Sequence, residues 1–288
     1  KPSAVLCHMS LAAALSKSEE RACGAEPGLA HDLRYLLLGT DSSSFKFTTR
    51  SHNGEDGSRV GGLGVEITVD AGSVQQNQLG YLKEFVQLAL VVKQLSLETA
   101  ATPTASRPSL QAFYACVGES LLRFQQFLNT LYGSGERQSL VSLRYRLDDW
   151  LTSFRHIYWL HLKAKTLPAH EFLSVLHEHS LFGDSLIQQL SAGYYTAAFK
   201  PYLRLINSWL LLGVLTETEA VREDFFVKPD ETRKDFLYFS ELVPSFLRQK
   251  TAFRIYQVGK SISFLKLYLD DKQWCNEFYN STSTADLT

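Results

Sequence analysis

Residues 199–227 read FKPYLRLINSWLLLGVLTETEAVREDFFV. Leu203, Ile206, Leu210 and Leu211 fall at helical spacing with Trp209 in their midst, so the stretch predicts a buried helix with Trp209 as a core anchor. Pro201 suits either the first turn of that helix or a kink, because its ring fixes φ. Gly213 follows the last apolar turn, where a helix can stop in a left-handed cap. A short acidic linker then leads to Asp224-Phe225-Phe226-Val227.

Outward from this stretch the chain is dominated by helical periodicity. Leu33, Leu36 and Leu37 line a helix over 29–38. Phe45 and Phe47, then Val65, Ile67 and Val69, alternate with polar residues, predicting a small β-hairpin over 44–49 and 65–70. Between them 51–64, SHNGEDGSRVGGLG, reads as a loop. Leu82, Phe85, Val86, Ala89 and Val92 form the next stripe. A Pro/Ser/Thr linker at 99–109 ends on Ser109 as a candidate N-cap. Long stripes predict helices over 109–132 and 138–163, and two shorter ones follow Pro168 and Gly183-Asp184. Residues 228–235 read as a polar linker, and a last helix runs from Pro244 through Leu247, Ile255, Val258, Ile262, Leu265 and Leu269. The predicted class is mostly α, as elongated antiparallel helical bundles with one small β-hairpin near the N-terminus. The predicted organisation is a loose lead-in at 1–28, one helical domain at 29–275 and a frayed polar tail at 276–288.

Composition narrows the function. Hydrophobic residues make up 45 % of the 288, enough for a sizeable core. With 29 basic and 30 acidic residues the net charge is −1, which argues against general nucleic-acid binding. No apolar run reaches the ~18 residues of a membrane span. The chain begins at Lys1 rather than Met, as an excised or partial chain would. Cys7, Cys23, Cys116 and Cys275 form no C-x-x-C pair and read as reduced structural thiols.

Four motifs invite a chemical reading, and none carries it. Val258-Gly259-Lys260-Ser261 ends like a phosphate-binding loop, but position 254 is Arg254 where the motif needs Gly. Its better reading is a glycine for close helix approach beside an exposed lysine. His170, His177 and His179 lack the i, i+4 spacing of a helical zinc site. Ser120 lacks the second glycine of a nucleophile elbow. Asp148-Asp149 and Asp270-Asp271 diverge by ~100° on a helix. The chain therefore reads as a non-enzyme without nucleotide, metal or other cofactor. Arg123, Gln126, Arg144, Arg146 and Arg155 lie on the predicted outer faces of 109–132 and 138–163, among few exposed aliphatics. They are the candidate lateral interface, suited to an acidic partner surface.

The sharpest pattern combines two pieces: Pro201-Tyr202, Trp209, Gly213 and Phe225-Phe226, then Pro244, Phe246-Leu247 and Gly259-Lys260. Together they resemble the signature of the gamma-tubulin complex protein family, the spokes of the microtubule-nucleating ring, over about residues 29–270. The resemblance implies the N-terminal grip domain of a spoke. Such a domain would contact neighbouring spokes laterally, and gamma-tubulin would be met only through a C-terminal domain outside this stretch. The implied location is the cytoplasm and cytoskeleton, at a microtubule organising centre such as a centrosome or spindle pole. Leu212 before the glycine and Ala220-Val221-Arg222 depart from the commonest family pattern, suggesting a component-5 or component-6 type. The alternative reading is an exocyst-like tethering or adaptor scaffold, also without catalysis.

Overall fold

Leucine and phenylalanine recurring every three or four residues leave most of this chain only one way to bury its apolar surface, as packed helices. The computed structural model describes residues 26–42, 44–51, 63–69, 79–101, 107–133, 139–215, 225–230 and 235–268. Among these are eight α-helices: α1 (Glu26–Leu37), α2 (Leu79–Ala101), α3 (Pro108–Gly133), α4 (Leu140–Arg146), α5 (Asp148–Thr166), α6 (Ala169–His179), α7 (Ser185–Leu212) and α8 (Gln249–Tyr268). Strands β1 (Phe45–Ser51) and β2 (Leu63–Val69) form one antiparallel pair, and β3 (Val227–Asp230) and β4 (Asp235–Tyr238) another. The class is mostly α with a small N-terminal hairpin, as predicted. Cys7, Cys23 and Cys275, the lead-in before 26, most of the glycine-rich loop, the departure at 220–222, Leu269 and the tail lie outside the described residues.

The chain divides into two compact units. The first takes its described residues from 1–101 and 117–159. Its core holds the predicted stripes: Leu33, Leu36 and Leu37 from α1, Leu82, Phe85, Val86, Ala89 and Val92 from α2, and Phe124 and Leu128 from α3. Phe124 meets Trp150 and Phe154 of α5 at ring-centroid distances of 5.2 and 5.1 Å. The hairpin runs in register from Phe45 opposite Val69 to Ser51 opposite Leu63. Its entry is set by side chains: Asp41 accepts from the Phe47 N–H and Ser42 from the Phe45 N–H.

The second unit takes its described residues from 102–116 and 160–288. Phe113 of α3 sits edge-on to Phe172 of α6 and Tyr194 of α7, at 5.1 and 5.5 Å. Asp184 caps α7, its carboxylate accepting from the N–H groups of Leu186 and Ile187. Ser174 Oγ accepts from the Ser245 N–H, and Phe246 packs on His177 and Phe199, so the Pro244–Leu247 turn is seated on α6 and α7.

Several boundaries differ from the sequence expectation. The predicted helices at 183–190 and 199–213 are one 28-residue helix, α7, with Pro201 inside it; the proline's missing N–H removes one bond without ending the helix. The helix expected at 138–163 is α4 and α5, divided at Leu147. Helix α3 starts at Pro108, the position proline favours, so Ser109 is not its cap. The last helix begins at Gln249, after a 3-10 turn at Ser240–Leu242 and the Pro244–Leu247 turn. The polar linker expected at 228–235 overlaps a second antiparallel pair, in which Val227–Asp230 lies opposite Asp235–Tyr238.

One side chain in the first unit links packing to pH. The Tyr132 hydroxyl is buried with no hydrogen-bond partner among the described residues, and the Arg34 guanidinium lies 5.9 Å from the ring centroid. Burial pushes the phenol up to about 12, against the opposing pull of Arg34. The neutral phenol is thus favoured by folding, so its contribution is complete below pH ~10 and is lost as pH rises toward 12. Tyr132→Phe removes a buried unpaired hydroxyl and keeps the ring beneath Arg34. It should raise stability in urea at pH 7 by about 1 kcal/mol and make the loss between pH 10 and 12 shallower. A destabilised variant would mean that the hydroxyl is paired.

Candidate functional site

The residues of the sequence signature meet where the end of α7 crosses α8. Trp209 is fully buried, and its indole N–H donates to the Ile255 carbonyl at 3.1 Å. A Cβ on Gly259 would stand 2.2 Å from the Trp209 ring, closer than real atoms approach. Gly213 ends α7 with φ 59°, its N–H donating to the Trp209 carbonyl at 3.0 Å. A Cβ there would meet the Ser263 backbone at 2.6 Å. Two glycines, one on each helix, thus allow the backbones to touch. Lys266 donates to the Leu212 carbonyl at 2.6 Å, placing a cation at the negative end of α7.

The buried line on α7 is Tyr194, Ala198, Tyr202, Ile206 and Trp209. Leu203 is exposed, which corrects the expected stripe by one position: Tyr202 takes the inward place because it meets Phe225 at 5.6 Å. Phe225 and Phe226 are both buried and lie 4.4 Å apart. On α8 the inward residues are Ala252, Gly259, Ile262 and Ser263, while Val258 is exposed.

Lys260 is not the exposed cation expected from the sequence. Its ammonium binds Asp235 at 2.7 Å and donates to the Tyr256 hydroxyl, and the Tyr256 hydroxyl donates to the Phe236 carbonyl at 2.9 Å. Phe236 then meets Trp209 edge-on at 4.6 Å. The Gly-Lys pair therefore fastens the β3–β4 hairpin over the Trp209 crossing and presents no phosphate cradle. The hydrogen bond to Lys260, and then the Phe236 N–H, hold the Asp235 carboxyl below its usual range. Its contribution is present at neutral pH and lost as pH falls through that depressed value. The pair is about half exposed, so it is worth only about 0–1 kcal/mol.

Asp235, Phe236, Tyr238, Tyr256 and Lys266 were absent from the sequence signature. The short aromatic-rich run Phe236-Leu237-Tyr238 was the available signal for a strand there. The histidines serve packing: His177 lies 5.3 Å from both Tyr195 and Phe246, His179 stacks on Phe182, and His170 is buried. No group of three or more His, Cys, Asp or Glu among the described residues could hold a metal.

The candidate interface residues all fall in the first unit. Arg123, Gln126, Arg146 and Arg155 are exposed, with Arg123 paired to Glu119 on its own helix. Arg144 differs. It is bound by Glu84 of α2 and, at 2.6 Å, by Asp148. Asp148 foremost, with Glu84, pushes its pKa up further, so its charge is already answered inside the unit. Nor are aliphatic and aromatic groups scarce: Leu122, Val141 and Tyr145 are 54, 60 and 84 % exposed.

Comparison with known proteins places these observations. The family model described as Gamma tubulin complex component N-terminal matches residues 31–287. The chain is 28 % identical over 181 residues to spindle pole body component SPC98 of Saccharomyces cerevisiae, covering 59 % of this chain and 21 % of that protein. It is 25 % identical over 286 residues to gamma-tubulin complex component 3 of Arabidopsis thaliana, covering 91 % and 33 %. The component 3 of Homo sapiens is 23 % identical over 282 residues, covering 91 % and 30 %. The chain thus spans a third or less of these relatives' length. None of the three carries the component-5 or component-6 designation that the departures at 212 and 220–222 suggested.

The crossing predicts a specific cost. Gly259→Ala gains ~1 kcal/mol of helix propensity but drives a methyl into the Trp209 ring, an overpacking of typically ~1–3 kcal/mol or more. The variant should melt several degrees lower in circular dichroism. An unchanged or raised melting temperature would mean the helices do not touch there.

Proposed function

The chain belongs to the gamma-tubulin complex component family through its N-terminal domain, and from that premise we propose that it is a structural spoke module of the gamma-tubulin ring complex. In this reading the domain contacts neighbouring spokes laterally, so that the assembled ring templates microtubule nucleation. Gamma-tubulin is engaged through a C-terminal domain beyond these residues. The working location is a microtubule organising centre or spindle pole. The module is non-enzymatic and needs no nucleotide, metal, nucleic acid or membrane.

The observation that carries the reading is the family match over residues 31–287, which spans both units. The crossing supports it: the residues that looked chemical, Gly259 and Lys260, are engaged in packing a helix and a hairpin. A rigid scaffold is what a repeated lateral contact requires, because ordering at the interface subtracts from affinity. The exposed faces of α3, α4 and α5 supply the contact, through Leu122 and Arg123 on α3, Tyr145 and Arg146 on α4 and Arg155 on α5. Exposed cations beside exposed apolar groups suit an acidic neighbour and an association that weakens with salt.

The test is a reversal of Arg123, Arg146 and Arg155 to Glu in the full-length protein, with Arg144 retained because Glu84 and Asp148 already hold it. Folding should be unchanged by circular dichroism, and incorporation into the ring should fall on the order of tenfold. Undiminished incorporation of a folded variant would remove this face from the lateral contact.

A further inference from the structure

The outer face of α8 is used by neither the crossing nor the arginine-bearing face. Between Glu241 and Asp270 the sequence has no acidic residue, yet it holds Arg248, Lys250, Arg254, Lys260 and Lys266. Two of these are engaged internally, Lys260 by Asp235 and Lys266 by the Leu212 carbonyl. Arg248, Lys250 and Arg254 are exposed and form no ion pair among the described residues.

Helical geometry orders this face. With Ala252, Gly259 and Ser263 turned inward, Lys250, Arg254, Gln257 and Ser261 fall on the opposite line, all exposed. Phe253 and Phe264 flank that line on one side and Val258 on the other, each about half exposed. From Lys250 to Phe264 the strip is ~21 Å long at ~1.5 Å per residue. The amino end of the helix adds its partial positive charge at the end where the uncompensated cations lie.

We propose that this strip docks an acidic segment of a protein partner, with carboxylates at Lys250 and Arg254 and apolar side chains against Phe253, Val258 and Phe264. The order of groups selects this partner class. A helix that lies on a membrane has its apolar residues central and its cations at the flanks; here the polar and cationic line is central and the apolar groups flank it. Phe253 is also held by Tyr238 and Tyr256, at 5.5 and 6.0 Å, and is set as a fixed contact. Three cations are few for nucleic acid, whose affinity scales with the phosphates neutralised. An acidic amphipathic helix of four turns matches the strip in length, charge and apolar edges.

The experiment places the photo-cross-linker p-benzoylphenylalanine at Gln257 or Ser261 of the full-length protein in its assembled complex, and sequences the cross-linked species. The expected product is a protein segment of net negative charge with apolar residues at helical spacing. Its yield should fall about tenfold in Lys250→Glu/Arg254→Glu and also on raising salt. Both substitutions are on exposed side chains, and unchanged melting of the variant establishes that folding is not the cause. Cross-links to lipid, to nucleic acid, to a second copy of this chain or to a neutral or basic segment would overturn the proposal, as would the absence of any cross-link.

Discussion

The second unit depends on an indole lying against bare backbone. Trp209 is the largest of its fully buried side chains, and it fits only because position 259 has no side chain. The Trp209 N–H, which would be costly to bury unpaired, finds the Ile255 carbonyl. Apolar burial and hydrogen-bond satisfaction are met by the same contact. Gly213 completes it by ending α7 in a left-handed cap, at a position where a side chain would strike the Ser263 backbone. The β3–β4 pair packs on this contact: Phe236 meets the indole edge-on, Tyr256 holds the Phe236 carbonyl, and Lys260 holds the adjacent Asp235.

This explains why the signature residues are widely separated in sequence. Tyr202, Phe225 and Phe226 form one wall, Trp209 and Gly259 the centre, and Pro244 and Phe246 seat the turn before α8 on α6 and α7. None of them needs chemical reactivity, and each needs a particular shape. The physical reading of these residues as packing groups supports the proposed scaffold role. Under that proposal, function falls to the outward faces, where exposed cations and half-exposed apolar groups are found.

Helical periodicity made the fold class legible, and the stripes on α1, α2 and α3 are buried as their spacing demands. Trp209, Gly213 and Gly259 were legible as a helix anchor, a stop and a close approach. What spacing could not resolve was which of two adjacent residues turns inward, because Tyr202 and Leu203 are both apolar and only the partner Phe225 decides between them. The second hairpin was hidden because its strands are four residues long and the first carries Lys228-Pro229-Asp230 after a single apolar Val227. The role of Arg144 was hidden for a related reason. Its partner Glu84 is 60 residues away, and an arginine on a helix face looks the same whether or not an acid from another helix reaches it.

The central claim is that Trp209 and Gly259 act as one contact. A double-mutant cycle on urea stability, combining Trp209→Leu with Gly259→Ala, tests it most directly. The account predicts that Gly259→Ala is destabilising in the wild-type background and neutral, or stabilising by up to ~1 kcal/mol of helix propensity, once the indole is gone. An equal cost in both backgrounds would contradict it.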